Sequence, residues 1–319
     1  MYVSIDPAHA PAASSKARPR VSVIMVVYMT GPALMESVRR VLAEPAVDEF
    51  VIVDNGSSLA DAAWLRELAR RERRVRLLQG LGNIGFARAA NLGATSAKGE
   101  ALVFLNPDAF LTPGAIAALL DAGRDRPSPC VIGARVFNID GSEQRGARRG
   151  EITPVTTLLS LSKLSALMPP LRRFEIHREG EAPPSYPVDT PTISGACFHM
   201  SAADFQALGG FDEGYFLHVE DVDLCWRARR QGGSVLFQPH AHIVHVGSTS
   251  RENPLVVEWH KGRGLVRYFL KRADKKRRKA LALALAPLIL FTAVARPLLR
   301  QLRHGRMGRH APRLRPAIS

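Results

Sequence analysis

Val21-Ser22-Val23-Ile24-Met25-Val26-Val27-Tyr28 is apolar at nearly every position. A strand with one wet face alternates, so an unbroken β-branched run of this kind fits a strand covered on both sides, as in a parallel sheet flanked by helices. Phe50-Val51-Ile52-Val53 and Ala101-Leu102-Val103-Phe104-Leu105 repeat the pattern, and Val75 to Leu78 is a shorter version. Helical segments follow each of them: 33–43, the Trp64, Leu65, Leu68 periodicity, 87–97 and 113–122. The first half therefore reads as a doubly wound α/β unit. Aromatics make up only 7% of a chain that is 46% hydrophobic, so its core rests mainly on Ala, Val, Leu and Ile. At 319 residues, either one large domain or two smaller ones is possible.

In doubly wound sheets ligands sit beyond the carboxyl ends of the strands. Two strands here end in acidic turns, Asp54-Asn55-Gly56-Ser57-Ser58 and Asn106-Pro107-Asp108. Asp54 suits a ribose hydroxyl or a base imide N–H; as a turn residue it equally suits its own backbone. Asp108 suits a hard divalent cation, which takes one or two carboxylates and completes its shell with substrate phosphates. Asn83-Ile84-Gly85-Phe86 opens a helix, so backbone N–H groups and Arg88 face any anion bound there. The first strand is not followed by GxGxxG, and there is no phosphate-loop lysine motif.

The texture loosens over 141–191, read as long loops with one helix near 154–168. Order returns with a strand over Thr192 to Met200, a helix over Ala202 to Leu208, and short strands at Val235-Leu236-Phe237 and 242–246. Between them, His218-Val219-Glu220-Asp221-Val222-Asp223 places three carboxylates in four residues. Such crowding raises proton affinity and suits a general base or a metal; it equally suits the first turn of a helix, with Asp223 paired to Arg227. His242 and His245, three apart on a strand, point to opposite faces, so one of them at most joins a given ion.

Net charge is +15, concentrated at 70–76, at 145–149 and from Lys271 onward. The last cluster runs into Ala280 to Ala295, uncharged and mainly apolar but containing Pro287, followed by Arg296, Arg300, Arg303, Arg306 and Arg309. Sixteen helical residues reach about 24 Å, short of a hydrocarbon core of roughly 30 Å, which favours a helix lying at an anionic membrane surface over a clean span. Docking of the same helix on the domain is the alternative. Three cysteines at long spacings indicate a reducing compartment, and the Ala/Pro/Ser-rich residues 1–19 read as a disordered lead-in and not a secretory signal. The location expected is cytoplasmic, peripheral on the inner membrane face. No nucleic-acid partner is expected; charge-driven binding would reside in the basic tail alone.

The ordered set Val-Ser-Val-Ile-Met-Val-Val-Tyr, Val-Ile-Val-Asp-Asn-Gly-Ser-Ser, Gly-Asn-Ile-Gly-Phe-Ala-Arg-Ala-Ala-Asn-Leu-Gly, Phe-Leu-Asn-Pro-Asp and Gly-Gly-Phe-Asp-Glu…Glu-Asp-Val-Asp-Leu-Cys-Trp-Arg resembles family 2 glycosyltransferases of the GT-A fold, in their rhamnosyltransferase-like branch. The resemblance spans about residues 20–250. It implies an α/β GT-A domain over 20–260 built on one doubly wound mixed sheet of Rossmann-like character. Residues 20–125 would bind the nucleotide sugar and 126–260 the acceptor; the basic-apolar composition of 261–319, outside the resemblance, makes that segment the membrane-associating helical extension. The resemblance implies an inverting transfer of a sugar, L-rhamnose from dTDP-rhamnose, to a glycan or lipid-linked acceptor in bacterial cell-surface polysaccharide synthesis. By position, Asp54, Asn83, Arg88, Asn91 and Asn106 belong to the donor pocket, and Asp108 and His245 to a Mg²⁺ or Mn²⁺ site, with His242 as second choice. Asp221 is implied as the base, with Glu220 next and Asp223 as support. Asn106 stands where the family's first metal-motif acid lies. The alternative is an inert sugar-nucleotide-binding or scaffold subunit.

Overall fold

The computed structural model describes residues 18–162, 168–247, 249 and 252–305. The lead-in expected over 1–19, save its last two residues, lies outside them, as do part of the helix expected over 154–168 and Arg306 and Arg309 of the tail.

Four parallel strands form one half of a nine-stranded sheet: β1 (Val21–Val27), β2 (Glu49–Asp54), β3 (Val75–Leu78) and β4 (Ala101–Leu105). They lie in the order β3-β2-β1-β4. The helices α1 (Ala33–Ala43), α2 (Leu59–Arg71) and α3 (Phe86–Ser96) connect them. Alternation in β1 divides the core. Val21, Val23, Met25 and Val27 pack with Leu34 and Val38 of α1 and Leu65 of α2. Ile24 and Val26 pack with Ala87, Ala89 and Ala90 of α3. Both faces are dry, as the sequence requires.

Small residues let α3 approach the sheet closely. A Cβ on Gly93 would sit 2.7 Å from Ile24 Cγ2 and 3.1 Å from Val53 Cγ2. Gly93→Ala is therefore expected to cost about 1–3 kcal/mol through overpacking, despite alanine's better helix propensity, as read by urea denaturation.

After β5 (Ala109–Leu111) and α4 (Ala115–Ala122), the second half of the sheet adds β6 (Cys130–Phe137), β8 (Val188–Asp189), β10 (Cys197–Ser201) and β11 (Ser234–His245). The order continues β4-β10-β6-β11-β5, with β8 also on β11. β10 is antiparallel to both neighbours, which makes the sheet mixed. A separate ribbon pairs β7 (Arg148–Arg149) with β9 (Thr192–Ile193). The helices here are α5 (Pro154–Leu161), α6 (Ala202–Ala207) and α7 (Glu220–Arg230). Aromatics, few overall, gather under α3 and α6: Phe211 lies 5.3 Å from Phe104 and 5.4 Å from Phe205, ring centre to centre.

Several sequence expectations change. The single strand expected over Thr192 to Met200 is two, in different sheets, broken at 194–196. The two strands expected at 235–237 and 242–246 are one, irregular between Gln238 and His242 around Pro239, which has no N–H to give the ladder. β5, β6, β7 and β8 are additional strands that no run in the sequence marks. The helix near 154–168 ends at Leu161, with a 3-10 turn at Pro169–Phe174.

The boundary drawn at 260 falls inside α8 (Pro254–Arg272), which is capped by Asn253 and folds against α9 (Lys276–Gly305). Ala282, Ile289 and Ala293 of α9 are buried, whereas Leu281, Leu283, Leu288 and Phe291 are exposed, Phe291 at 69%. Pro287 lies within the helix without ending it. Counted from Lys276 to Ala295, α9 is long and apolar enough to cross a membrane by length and composition. One face of α9 is thus docked on the domain, and the other leaves its apolar side chains exposed.

Candidate active site

The ends of β4 and β11 bring the acid–histidine pair together. His245 Nε2 lies 3.1 Å from Asp108 Oδ1 and 3.3 Å from Asn106 Nδ2. Its Nδ1 is 2.7 Å from Gln144 Oε1, an acceptor, so Nδ1 carries a hydrogen and Nε2 faces Asp108. Asp108 Oδ2 accepts from the Thr249 hydroxyl at 2.9 Å. Burial works to raise the Asp108 pKa, but His245 and Thr249 outweigh it and hold the carboxyl below its ordinary value. Nε2 and Oδ1 each offer a lone pair across this 3.1 Å gap, so a proton or a cation belongs between them. That donor set fits a divalent ion with two protein ligands.

Among the described residues no group of three or more His, Cys, Asp and Glu could hold a metal alone. The remaining coordination would therefore come from ligand oxygens and water, as is usual for Mg²⁺ beside phosphates. His242 stands apart: its Nε2 meets Pro239 O at 2.8 Å and its ring meets Phe137 edge-on.

The break between β9 and β10 joins this pair to the acidic helix. Asn106 N donates to Ala196 O at 2.9 Å, and Gly195 N donates to Asp221 Oδ2 at 3.0 Å. Asp221 also accepts from Arg149 at 2.6 Å and from Val222 N at 2.8 Å. Glu220 is buried and its Oε2 finds no partner. Burial, then the adjacent Asp221 charge, pushes its proton affinity up. The two neighbours thus differ in surroundings: Asp221 is paired with Arg149, and Glu220 is held toward the neutral acid. Asp223, fully buried, is matched by Arg227 at 2.7 Å and Lys271 at 2.9 Å. It fixes α7 to α8 and takes no place in the cleft.

Ahead of α7, His218 (φ 66°) and Val219 (φ 75°) both lie in the left-handed region. This costs of order 1–3 kcal/mol each, and Val219, being β-branched, is the less tolerant of the two. Close packing on two sides holds them. A Cβ on Gly264 of α8 would stand 3.0 Å from Val219 Cγ2 and 3.1 Å from His218 O. On the other side, Phe86 N donates to Phe216 O at 2.8 Å, and Gly85, at φ +86°, leaves no room for a side chain against Phe216. The strain aims the first turn of α7.

At the end of β2, Asp54 Oδ1 accepts from Gly56 N and Ser57 N, and Oδ2 accepts from Gln79 at 2.8 Å. The turn-capping reading accounts for these contacts. With β1 between β2 and β4, the two acidic strand ends are two strands apart, about 10 Å. Asn83 Oδ1 accepts from Asn55 Nδ2 at 3.1 Å, which staples the Asn83–Gly85 loop to the strand ends. Asn91 spends its amide on Phe211 and Glu213, and Arg88 pairs with Glu213 at 3.1 Å while remaining largely exposed. The site also contains residues that sequence reading passed over: Gln144, Thr249, Arg149 and Gly195. Arg149 meets Asp221 across 72 positions, so no local pattern betrays the pair.

The Glycosyl transferase family 2 model matches residues 22–208. An N-acetylglucosaminyl-diphospho-decaprenol L-rhamnosyltransferase of Mycobacterium tuberculosis is 30% identical over 248 residues, covering 72% of this chain and 78% of the relative. A hexosyltransferase of low-salt glycan biosynthesis from Haloferax volcanii is 26% identical, over 66% and 62% of the two chains. Among solved structures, the mannosyltransferase of Pyrobaculum calidifontis in complex with GDP-Man and Mn²⁺ superposes with a TM-score of 0.56 at 18% identity, covering 92% of this chain and 77% of that one. The fold is thus the GT-A fold.

Proposed function

The chain belongs to glycosyl transferase family 2, and on that premise we propose that it moves L-rhamnose, from dTDP-rhamnose, with inversion of configuration, onto a glycan or lipid-linked acceptor of a bacterial cell-surface polysaccharide. The observation that carries this reading is the link from the Asp108–His245 pair through 195–196 to Asp221, which brings that pair close to the Arg149-paired carboxylate. The Mycobacterium tuberculosis relative supports the donor sugar and the lipid-linked acceptor.

In this reading Asp108 and His245 hold Mg²⁺ or Mn²⁺, with Gln144 fixing the imidazole tautomer. The bound ion supplies charge neutralisation for the departing nucleoside diphosphate. Asp54, Asn83, Arg88, Asn91 and Asn106 shape the donor pocket, with Asn91 and Asp54 acting through the turns they hold. Asp221 takes the acceptor's proton as its oxygen attacks the anomeric carbon. That hydroxyl becomes acidic as the new bond forms, so a carboxylate already stabilised by Arg149 suffices. Glu220, kept neutral, presents a hydrogen-bond donor beside it. The exposed apolar face of α9 and its basic start support a location on the inner membrane face.

The test is a nucleotide-sugar panel with and without Mg²⁺ or Mn²⁺. A ligand at one hundred times its Kd stabilises the fold by about 2.7 kcal/mol, so dTDP-rhamnose is expected to give the largest thermal shift. Stronger stabilisation by a UDP-sugar would displace the rhamnose assignment. Retention in the isolated product would displace the single-displacement mechanism. Donor binding without turnover on any acceptor would favour the inert scaffold.

A further inference from the structure

Between α8 and α9 runs an open groove of about 680 Å³, lined by Arg263, Arg267, Lys271 and Lys279, by the aliphatic Val266, Leu270 and Leu290, and by Asp212. Its charges are unequal in standing. Arg267 and Lys271 are spent on Asp212, at 2.8 Å and 2.7 Å, and Lys271 also reaches Asp223. Arg263 and Lys279 stand at the rim with no acid of their own in the groove. A groove with an aliphatic floor and surplus positive charge suits a ligand that is anionic at one end and apolar at the other.

The helix geometry extends that pattern. At 100° per residue, Lys279, Leu283 and Leu290 fall on one stripe of α9, and Leu283 is 54% exposed. The cation lies at one end of the stripe and the aliphatics follow it. Resting on the membrane reading above, we propose that this groove is a site for one anionic phospholipid. Lys279 holds the phosphate, and an acyl chain lies along Leu270, Leu283, Val266 and Leu290 toward Arg263 at the far end. This differs from diffuse attraction of a basic surface to a bilayer, because it is saturable and depends on which face a cation occupies.

Matched charge reversals test it on the full chain. Lys279→Glu and Arg277→Glu change net charge equally, but two residues apart they lie about 200° apart around α9. Binding to vesicles of phosphatidylglycerol in phosphatidylcholine is measured by flotation, and binding of monomeric dioctanoyl phosphatidylglycerol by thermal shift. Lys279→Glu is expected to weaken both about tenfold or more, as for loss of one charge-assisted phosphate contact, and Arg277→Glu less than threefold. Equal losses in Lys279→Glu and Arg277→Glu would reduce the groove to diffuse electrostatics. An equal shift from inorganic phosphate would remove the lipid, and displacement of the short lipid by a prenyl diphosphate would reassign the groove to the acceptor. Each of these outcomes overturns the proposal. Failure of the wild-type chain to float with anionic vesicles would instead overturn the membrane reading itself.

Discussion

Asp221→Asn is expected to leave sugar-nucleotide binding intact and to lower the transfer rate by about 10²–10⁴-fold, the range for loss of a general base. The amide keeps the shape and can still accept from Arg149 and Gly195 N, but it has no basic lone pair. A purely structural role for Asp221 predicts a loss of stability with rates preserved in the folded fraction. The pH profile separates the two, since the acidic limb of wild-type kcat/KM is expected to vanish from the variant's residual activity. Full transfer with intact donor binding in Asp221→Asn would remove the assignment.

Glu220→Gln is the internal control. Burial and the neighbouring charge raise the Glu220 pKa, so near neutrality the side chain is already an uncharged hydrogen-bond donor that glutamine resembles. Its rate loss is expected to be about tenfold or less. A loss equal to that of Asp221→Asn would transfer the base role to Glu220. The stability sign follows from linkage. A carboxyl whose folded pKa lies above its unfolded 4.5 favours the fold at low pH, and that contribution is lost as pH rises through the folded value. Glu220→Gln is therefore expected to unfold less readily than wild type in mildly alkaline solution.

The second large effect is expected at Asp108. Asp108→Asn removes the anionic oxygen facing His245 Nε2, leaving an amide that can donate to that lone pair and close the gap without a cation. Activity is expected to fall about 10²–10³-fold, in line with loss of one group that stabilises developing charge. The rate is also expected to lose its response to Mg²⁺ or Mn²⁺ titration. Because Asn106 already replaces the other motif acid, no second carboxylate in that turn is present to compensate. Unaltered metal dependence in Asp108→Asn would place the ion elsewhere.

How much of this was legible beforehand depended on whether the signal was local. The runs at Val21–Val27, Phe50–Val53 and Ala101–Leu105 announced buried strands because a parallel strand has no wet face to encode. Helices α1, α3 and α4 followed from their own periodicity. By contrast, β7 and β9 are two residues each and exist only through pairing, and the Gly195 break between β9 and β10 has no signature beyond one glycine. The same division holds within the site. Asp108, His245 and the acidic run stood in recognisable motifs, whereas Gln144 and Arg149 lie in a segment without one.

The sequence by itself determined the doubly wound half, the strand ends at which chemistry gathers and the family to which the chain belongs, because burial patterns and motifs are properties of neighbouring residues. Only the tertiary structure separated Glu220 from Asp221. Adjacent in sequence and alike in charge, they differ because Arg149 and the Gly195 amide arrive from distant segments at one carboxylate, while the other is left in a dry pocket without a partner. Proton affinity depends on what surrounds a group in space, and chain order does not specify those surroundings.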